Sequence, residues 1–229
     1  MIDPDQTARR EVMVDYQVRA RGVRAPLVLD AMRRVPREAF VPQDLREFAY
    51  DDTALPIAAG QTITQPAIVA MMVEALALEG GERVLDVGTG SGYAAAVLAC
   101  IAGQVYSIER IGELADLARD ALDAGGFANV EVRSGDGSLG WPEAAPFDAI
   151  MVAAGSPAVP EALKRQLAVG GRLVVPVGPD DDVQELLRIT RLAEDDFRTE
   201  DLADVRFVPL VGEAGWSDAT PRPRRGFGK

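Results

Sequence analysis

Between residues 83 and 177 short apolar runs alternate with stretches of helical spacing, and this alternation organises the 229-residue chain. Val84, Leu85 and Val87 predict a short buried strand, and residues 105–108, 130–133, 147–154 and 172–177 predict four more. The intervening segments read as helices: an Ala-rich one opening at Ser91, one over 111–124 stopped by Gly125 and Gly126, and one over 160–167. Strand and helix in strict alternation predict an α/β fold with a doubly wound parallel sheet. A turn is expected at Gly170 and Gly171, and Pro176 marks an edge or a bulge in the fifth strand. Beyond residue 184 the texture changes: residues 186–192 and 205–211 read as strands with no helix between them, hence added antiparallel strands. Upstream, helices are expected over 5–21 and 26–35, followed by a proline-bracketed turn over 35–42. They read as a helical cover on the sheet or as a purely stabilising extension. Residues 51–66, rich in Ala, Gly, Thr and Pro, form a loop able to reach over a ligand.

The first strand runs straight into Gly88, Gly90 and Gly92. A turn without Cβ atoms between a strand and a helix N-terminus is a nucleotide-type site at the carboxyl edge of a parallel sheet. Dinucleotide folds place a third glycine where Tyr93 stands; here it comes one residue earlier, which favours S-adenosylmethionine over NAD. Glu109 ends the next strand about 20 residues past the first glycine, where an acid can take two ribose hydroxyls. Asp136, between Gly135 and Gly137 at the end of the third strand, suits an exocyclic amine such as adenine N6, and equally a solvated turn. Thr64 or Gln65 caps the helix that Pro66 opens, and Thr62 and Thr64 place two hydroxyls around Ile63.

Composition narrows the chemistry. Histidine is absent, so Ser-His triads, imidazole acids and His-ligated metals are excluded, and no metal site is expected. The single cysteine, Cys100, lies among Ala and Leu and reads as a packed thiol. A net charge of −12 opposes binding to nucleic acid. No apolar run approaches membrane-spanning length and no signal pattern opens the chain, so a cytoplasmic protein without membrane contact is expected.

Several separated stretches, in order, resemble one family, the protein-L-isoaspartate (D-aspartate) O-methyltransferases. They are residues 35–42 (Val-Pro-Arg-Glu-Ala-Phe-Val-Pro), 49–52 (Ala-Tyr-Asp-Asp), 55–57 with 60–66 (Gly-Gln-Thr-Ile-Thr-Gln-Pro), 84–93, 106–110, 135–137, 147–150 and 206–211. The resemblance spans roughly residues 10–212. It implies a Rossmann-like methyltransferase sheet with S-adenosyl-L-methionine as cofactor. Asp86, Gly88, Thr89, Gly90 and Gly92 would line the cofactor's methionine end, Glu109 with Arg110 its ribose, and Asp136 with Gly137 its adenine. Thr62, Ile63 and Thr64 would close over the methyl group, with Ile57, Gln61 and Val211 flanking a peptide. Where the family usually has serine this chain has Thr64, and where it commonly has threonine this chain has Ala153; Ala58 and Ala59 replace a more polar or glycine-containing pair.

The implied reaction is transfer of a methyl group to the side-chain carboxylate of L-isoaspartyl residues in damaged proteins and peptides, starting their repair through a succinimide. A carboxylate of pKa ~4 is already ionised at pH 7, so a chain without histidine can perform it. Rival readings are a methyltransferase tailoring an aspartate in one dedicated peptide and a non-catalytic cofactor-binding protein. The expected organisation is a cover and active-site loop over 1–79, a cofactor-binding core over 80–212 and a disordered basic tail over 213–229, in a monomer.

Overall fold

The computed structural model describes residues 4–180 and 182–217. Helix α1 (Pro4–Val12) passes without a break into a π-turn over Met13–Val18 and a 3₁₀ turn over Arg19–Arg21, which Gly22 ends at φ +93°. Helix α2 (Pro26–Arg34) starts on its proline as expected. A small hairpin of β1 (Leu55–Pro56) and β2 (Thr62–Ile63) then leads into α3 (Pro66–Ala75). The core follows as β3 (Arg83–Val87), α4 (Tyr93–Ala99), β4 (Gln104–Glu109), α5 (Gly112–Gly125), β5 (Val130–Ser134), β6 (Phe147–Val152), α6 (Glu161–Arg165), β7 (Leu167–Val177), β8 (Gln184–Arg191) and β9 (Phe197–Val205).

The main sheet has the order β5-β4-β3-β6-β7-β8-β9, parallel through β7 and antiparallel beyond it. The chain leaves β3 toward one edge and returns at β6 toward the other. A crevice therefore opens at the carboxyl ends of those two neighbouring strands, the usual ligand position in open α/β sheets. Period-two burial divides the core: Val84, Ala149 and Met151 face the N-terminal helices, while Leu85, Val87, Ile150 and Val152 face the opposite layer around Trp141 and Leu163. The cover is fastened by Arg37, which is fully buried. Its guanidinium lies 4.7 Å over the Tyr93 ring and its Nε donates to the Ala49 carbonyl at 2.8 Å. Burial lowers its pKa to about 10.

Five expectations are corrected. Helix α4 starts at Tyr93, not Ser91, because Gly90 and Gly92 remain left-handed at φ +56° and +93°. Strand β7 begins at Leu167 and absorbs Gly170 and Gly171 as an irregularity in its pairing with β6. Pro176 lies in an interior strand, paired with Leu186; β6 has ended by then, and on that side its carbonyl accepts from the Ser156 amide at 2.9 Å. The last strand is Phe197–Val205 and not 205–211, since an exposed edge strand carries Arg198, Glu200 and Asp201 and shows no apolar run. Residues 213–217, assigned above to the tail, fold back on the core, where Trp216 Nε1 donates to the Gly155 carbonyl at 3.1 Å. The rest of that tail, 218–229, lies outside the described residues.

Candidate active site

The site grows out of the end of β3. Gly88, Gly90 and Gly92 all take positive φ, so the backbone curls tightly round the strand terminus; the Gly88 and Thr89 amides both donate to the Ile108 carbonyl. Asp86 sits one step inside, fully buried. Its Oδ2 accepts from Ser107 Oγ at 2.7 Å, and that hydroxyl pairs with Thr89 Oγ1 at 2.6 Å. Asp86 Oδ1 has no partner, and neither has the buried Ser91 Oγ on the same turn. A carboxylate oxygen removed from water without a donor is costly unless a cation or N–H group arrives to use it. Burial pushes the Asp86 pKa to about 6, with Glu109 adding to the rise and the Ser107 bond opposing it. These unused polar atoms beside a Cβ-free turn fit the amino-acid end of S-adenosylmethionine, whose ammonium would supply a donor to Asp86.

Glu109 is nearly buried, and its two oxygens hold the turn itself, accepting from the Gly90 amide and the Ile111 amide at 2.9 Å each. The carboxylate is thereby fixed at the mouth of the crevice with lone pairs left for two hydroxyls. Asp136 is more heavily committed. Its Oδ1 accepts from the Ser138 amide and hydroxyl at 2.9 and 2.7 Å, and its Oδ2 from the Glu213 amide at 2.7 Å. Gly137 packs so closely on β3 that a Cβ there would lie 2.6 Å from Val87 Cγ1. Asp136 and Gly137 thus reach the same sheet edge as Glu109, while Arg110 is exposed.

The 62–65 segment forms one wall of a cleft of about 340 Å³. Thr62 and Thr64 line it, together with Ala153 at the end of β6 and residues 204–208 opposite. Ile63 points the other way and is buried in the core, paired across the hairpin with Leu55. Ile57 does not line the cleft but packs on the glycine turn, since a Cβ at Gly90 would meet its Cδ1 at 3.5 Å. Gln61 turns back to the Ala59 carbonyl, and Val211 bridges to Trp216; neither lines the cleft. Sequence reasoning missed Arg21, which lines the cleft and pairs with Asp52 at 3.0 Å. It also missed Ser107, whose only signal was a hydroxyl in an otherwise apolar strand. Among the described residues no group of acids or thiols is arranged to hold a metal ion, and no helix is long and apolar enough to cross a membrane.

A parallel sheet with its glycine turn at the switch point, an acid closing the second strand and antiparallel strands at the far edge define a Rossmann-like methyltransferase. The family model described as protein-L-isoaspartate(D-aspartate) O-methyltransferase matches residues 8–215. The chain belongs to that family. It is 65% identical over 217 residues to protein-L-isoaspartate O-methyltransferase 1 of Rhodopseudomonas palustris strain HaA2, covering 95% of this chain and 89% of that one. To protein-L-isoaspartate O-methyltransferase 2 of Pelobacter propionicus it is 61% identical, covering 93% and 94%. Among solved structures, a protein-L-isoaspartate O-methyltransferase superposes with a TM-score of 0.79 at 29% identity, over 90% of this chain and 67% of that one. A Plasmodium falciparum protein described as a putative member of the family, in complex with S-adenosyl-L-homocysteine, gives 0.76 at 26%, over 88% and 98%.

Proposed function

We propose that this chain is an S-adenosylmethionine-dependent carboxyl methyltransferase that esterifies the side-chain carboxylate of L-isoaspartyl residues in proteins and peptides. The observation that carries this reading is the cleft. Its lining joins Thr64 and residues 204–208 to Ala153, which a Cβ at Gly88 of the glycine turn would meet at 3.6 Å. When bound, the cofactor supplies an electrophilic methyl group. Asp86 and Ser91 hold its amino-acid end, Gly88, Thr89, Gly90 and Gly92 admit it closely, Glu109 takes the ribose, and Asp136 with Gly137 borders the adenine. Arg110, exposed at the rim, contributes long-range charge.

The peptide carboxylate arrives ionised, so no residue has to remove a proton. What the chain supplies is orientation: Thr64 Oγ1 donates to the attacking carboxylate and Thr62 supports it, while Ile63 anchors their loop in the core. Ile57 and Gln61 act from behind the cleft: the Ile57 amide donates to the Gln61 carbonyl at 2.9 Å and so holds the turn that leads to Thr62 and Thr64. Holding the reacting groups in line while excluding water is worth on the order of 7–11 kcal/mol. In the ester the following backbone nitrogen attacks the activated carbonyl and methanol leaves. Hydrolysis of the resulting succinimide returns part of the residue as normal aspartate.

In this reading residues 1–79 are the cover and loop, and 80–212 with the ordered 213–217 are the core. The protein works as a cytoplasmic monomer on proteins and peptides, away from membranes and nucleic acid; its net charge of −12 supports the last exclusion. The test is chromatographic. An isoaspartyl peptide incubated with enzyme and S-adenosylmethionine is expected to pass through methyl ester and succinimide to a mixture containing the normal aspartyl peptide. Persistence of the isoaspartyl peptide alone, with the cofactor bound, would overturn the proposal.

A further inference from the structure

Gln184 opens β8 and is completely buried, a costly place for an amide unless its polar groups are used. Its backbone pairs with Val205, where β9 ends. Its side chain then continues the ladder: Oε1 accepts from the Phe207 amide at 2.9 Å, and Nε2 donates to the Phe207 carbonyl at 3.4 Å and to the Pro179 carbonyl at 3.1 Å. A side-chain amide carries a donor and an acceptor like those of a peptide group, so it stands in for a strand partner that β8 no longer provides. One residue further, the Val208 carbonyl accepts from the Gly155 amide at 2.8 Å. The cleft wall is thus pinned at Val205 by β8, at Phe207 by Gln184 and at Val208 by Gly155. Gly155 also makes room for the amide, since a Cβ there would lie 2.6 Å from Gln184 Cδ.

From this geometry we infer that Gln184, acting through Phe207, is a positioning residue that sets affinity for the isoaspartyl peptide. The inference rests on the cleft being the peptide site of the proposed function. Gln184 is not among the residues lining the cleft, and its side-chain hydrogen bonds go to Phe207 and Pro179, not to the glycine turn. Its loss therefore lets residues 206–208 relax without moving Thr64 or the cofactor side. Peptide affinity changes, and cofactor affinity does not.

The experiment is steady-state kinetics on the full chain, well below each variant's unfolding temperature, varying isoaspartyl peptide and S-adenosylmethionine in turn. Gln184→Met keeps length and bulk while removing the hydrogen bonds. It is expected to raise the peptide KM about tenfold, the equivalent of one to two hydrogen bonds, and to leave the cofactor KM within about twofold. Gly155→Ala displaces the same amide and is expected to give the same split, which keeps the inference testable should Gln184→Met fail to fold. The double variant Gly155→Ala/Gln184→Ala is expected to be no worse than Gln184→Ala alone, since the alanine at 155 then has nothing to displace. A peptide KM within about twofold of wild type, or both KM values rising together, would overturn the inference while the functional reading stood. Wild type failing to methylate the isoaspartyl peptide would overturn both.

Discussion

In the ligand-free protein Asp86 carries a charge that its surroundings only half compensate, so an Asp86→Asn chain is expected to be more stable and a poorer binder. The carboxyl pKa rises from the ordinary 3.8 to about 6, chiefly through burial. The folded-state value lies above the unfolded one, so this group favours folding relative to its ionised state only while protonated. Its advantage is full below pH ~4 and is lost as pH rises through about 6. The shift corresponds to about 3 kcal/mol at pH 7.5. That shift already includes the Ser107 bond, and asparagine can still accept from that hydroxyl, so the variant is expected to gain up to about 3 kcal/mol at pH 7.5 and nothing near pH 4. Urea unfolding of both chains at several pH values measures the difference. In the proposed function the carboxylate serves the cofactor's ammonium. Titration calorimetry with S-adenosylhomocysteine is expected to show wild-type affinity weakening as pH falls below about 6 and a weaker, flatter profile in the variant. An Asp86→Asn chain less stable than wild type by the same amount at pH 4.5 and 7.5 would refute the reasoning.

Thr64→Ser is expected to keep or raise activity, and Thr64→Val to lower kcat with little change in cofactor affinity; full activity of the valine variant would remove the orienting role. Glu109→Gln is expected to weaken S-adenosylhomocysteine binding by about 1.5–3 kcal/mol, and to lower the unfolding temperature because Glu109 also ties Gly90 to Ile111. An unchanged dissociation constant would show that the ribose lies elsewhere. Gly137→Ala forces a Cβ to within 2.6 Å of Val87 Cγ1, and denaturation is expected to show a loss of about 1–3 kcal/mol, whereas a neutral result would mean that the β3 terminus is free to move.

The sheet was legible wherever a strand is buried on both faces, because in β3 Val84, Leu85 and Val87, and in β6 Ala149, Ile150 and Met151, outweigh the single acid of each, Asp86 and Asp148. Strand β9 was not, since one side of it is the sheet edge and its polar residues look like loop. Glycines marked the turn at Gly88–Gly92 but not where α4 starts, which depends on the φ angles they adopt. The hydroxyls of Thr62 and Thr64 could be placed around Ile63 from alternation alone. Gln61 and Val211 could not be placed, because their distance from the cleft is set by tertiary bonds to Ala59 and Trp216. Gln184 and Arg37 likewise look like ordinary polar positions in the sequence; only the fold shows that one pairs with Phe207 and the other lies over Tyr93.

The central claim is selective methylation of an isoaspartyl carboxylate, and the most direct test is transfer of labelled methyl from S-adenosylmethionine to a matched pair of short peptides. One carries isoaspartate and the other normal aspartate at the same position. Base-labile label on the isoaspartyl peptide alone is the predicted result. Label on both peptides equally, or on neither while the cofactor binds, would contradict it.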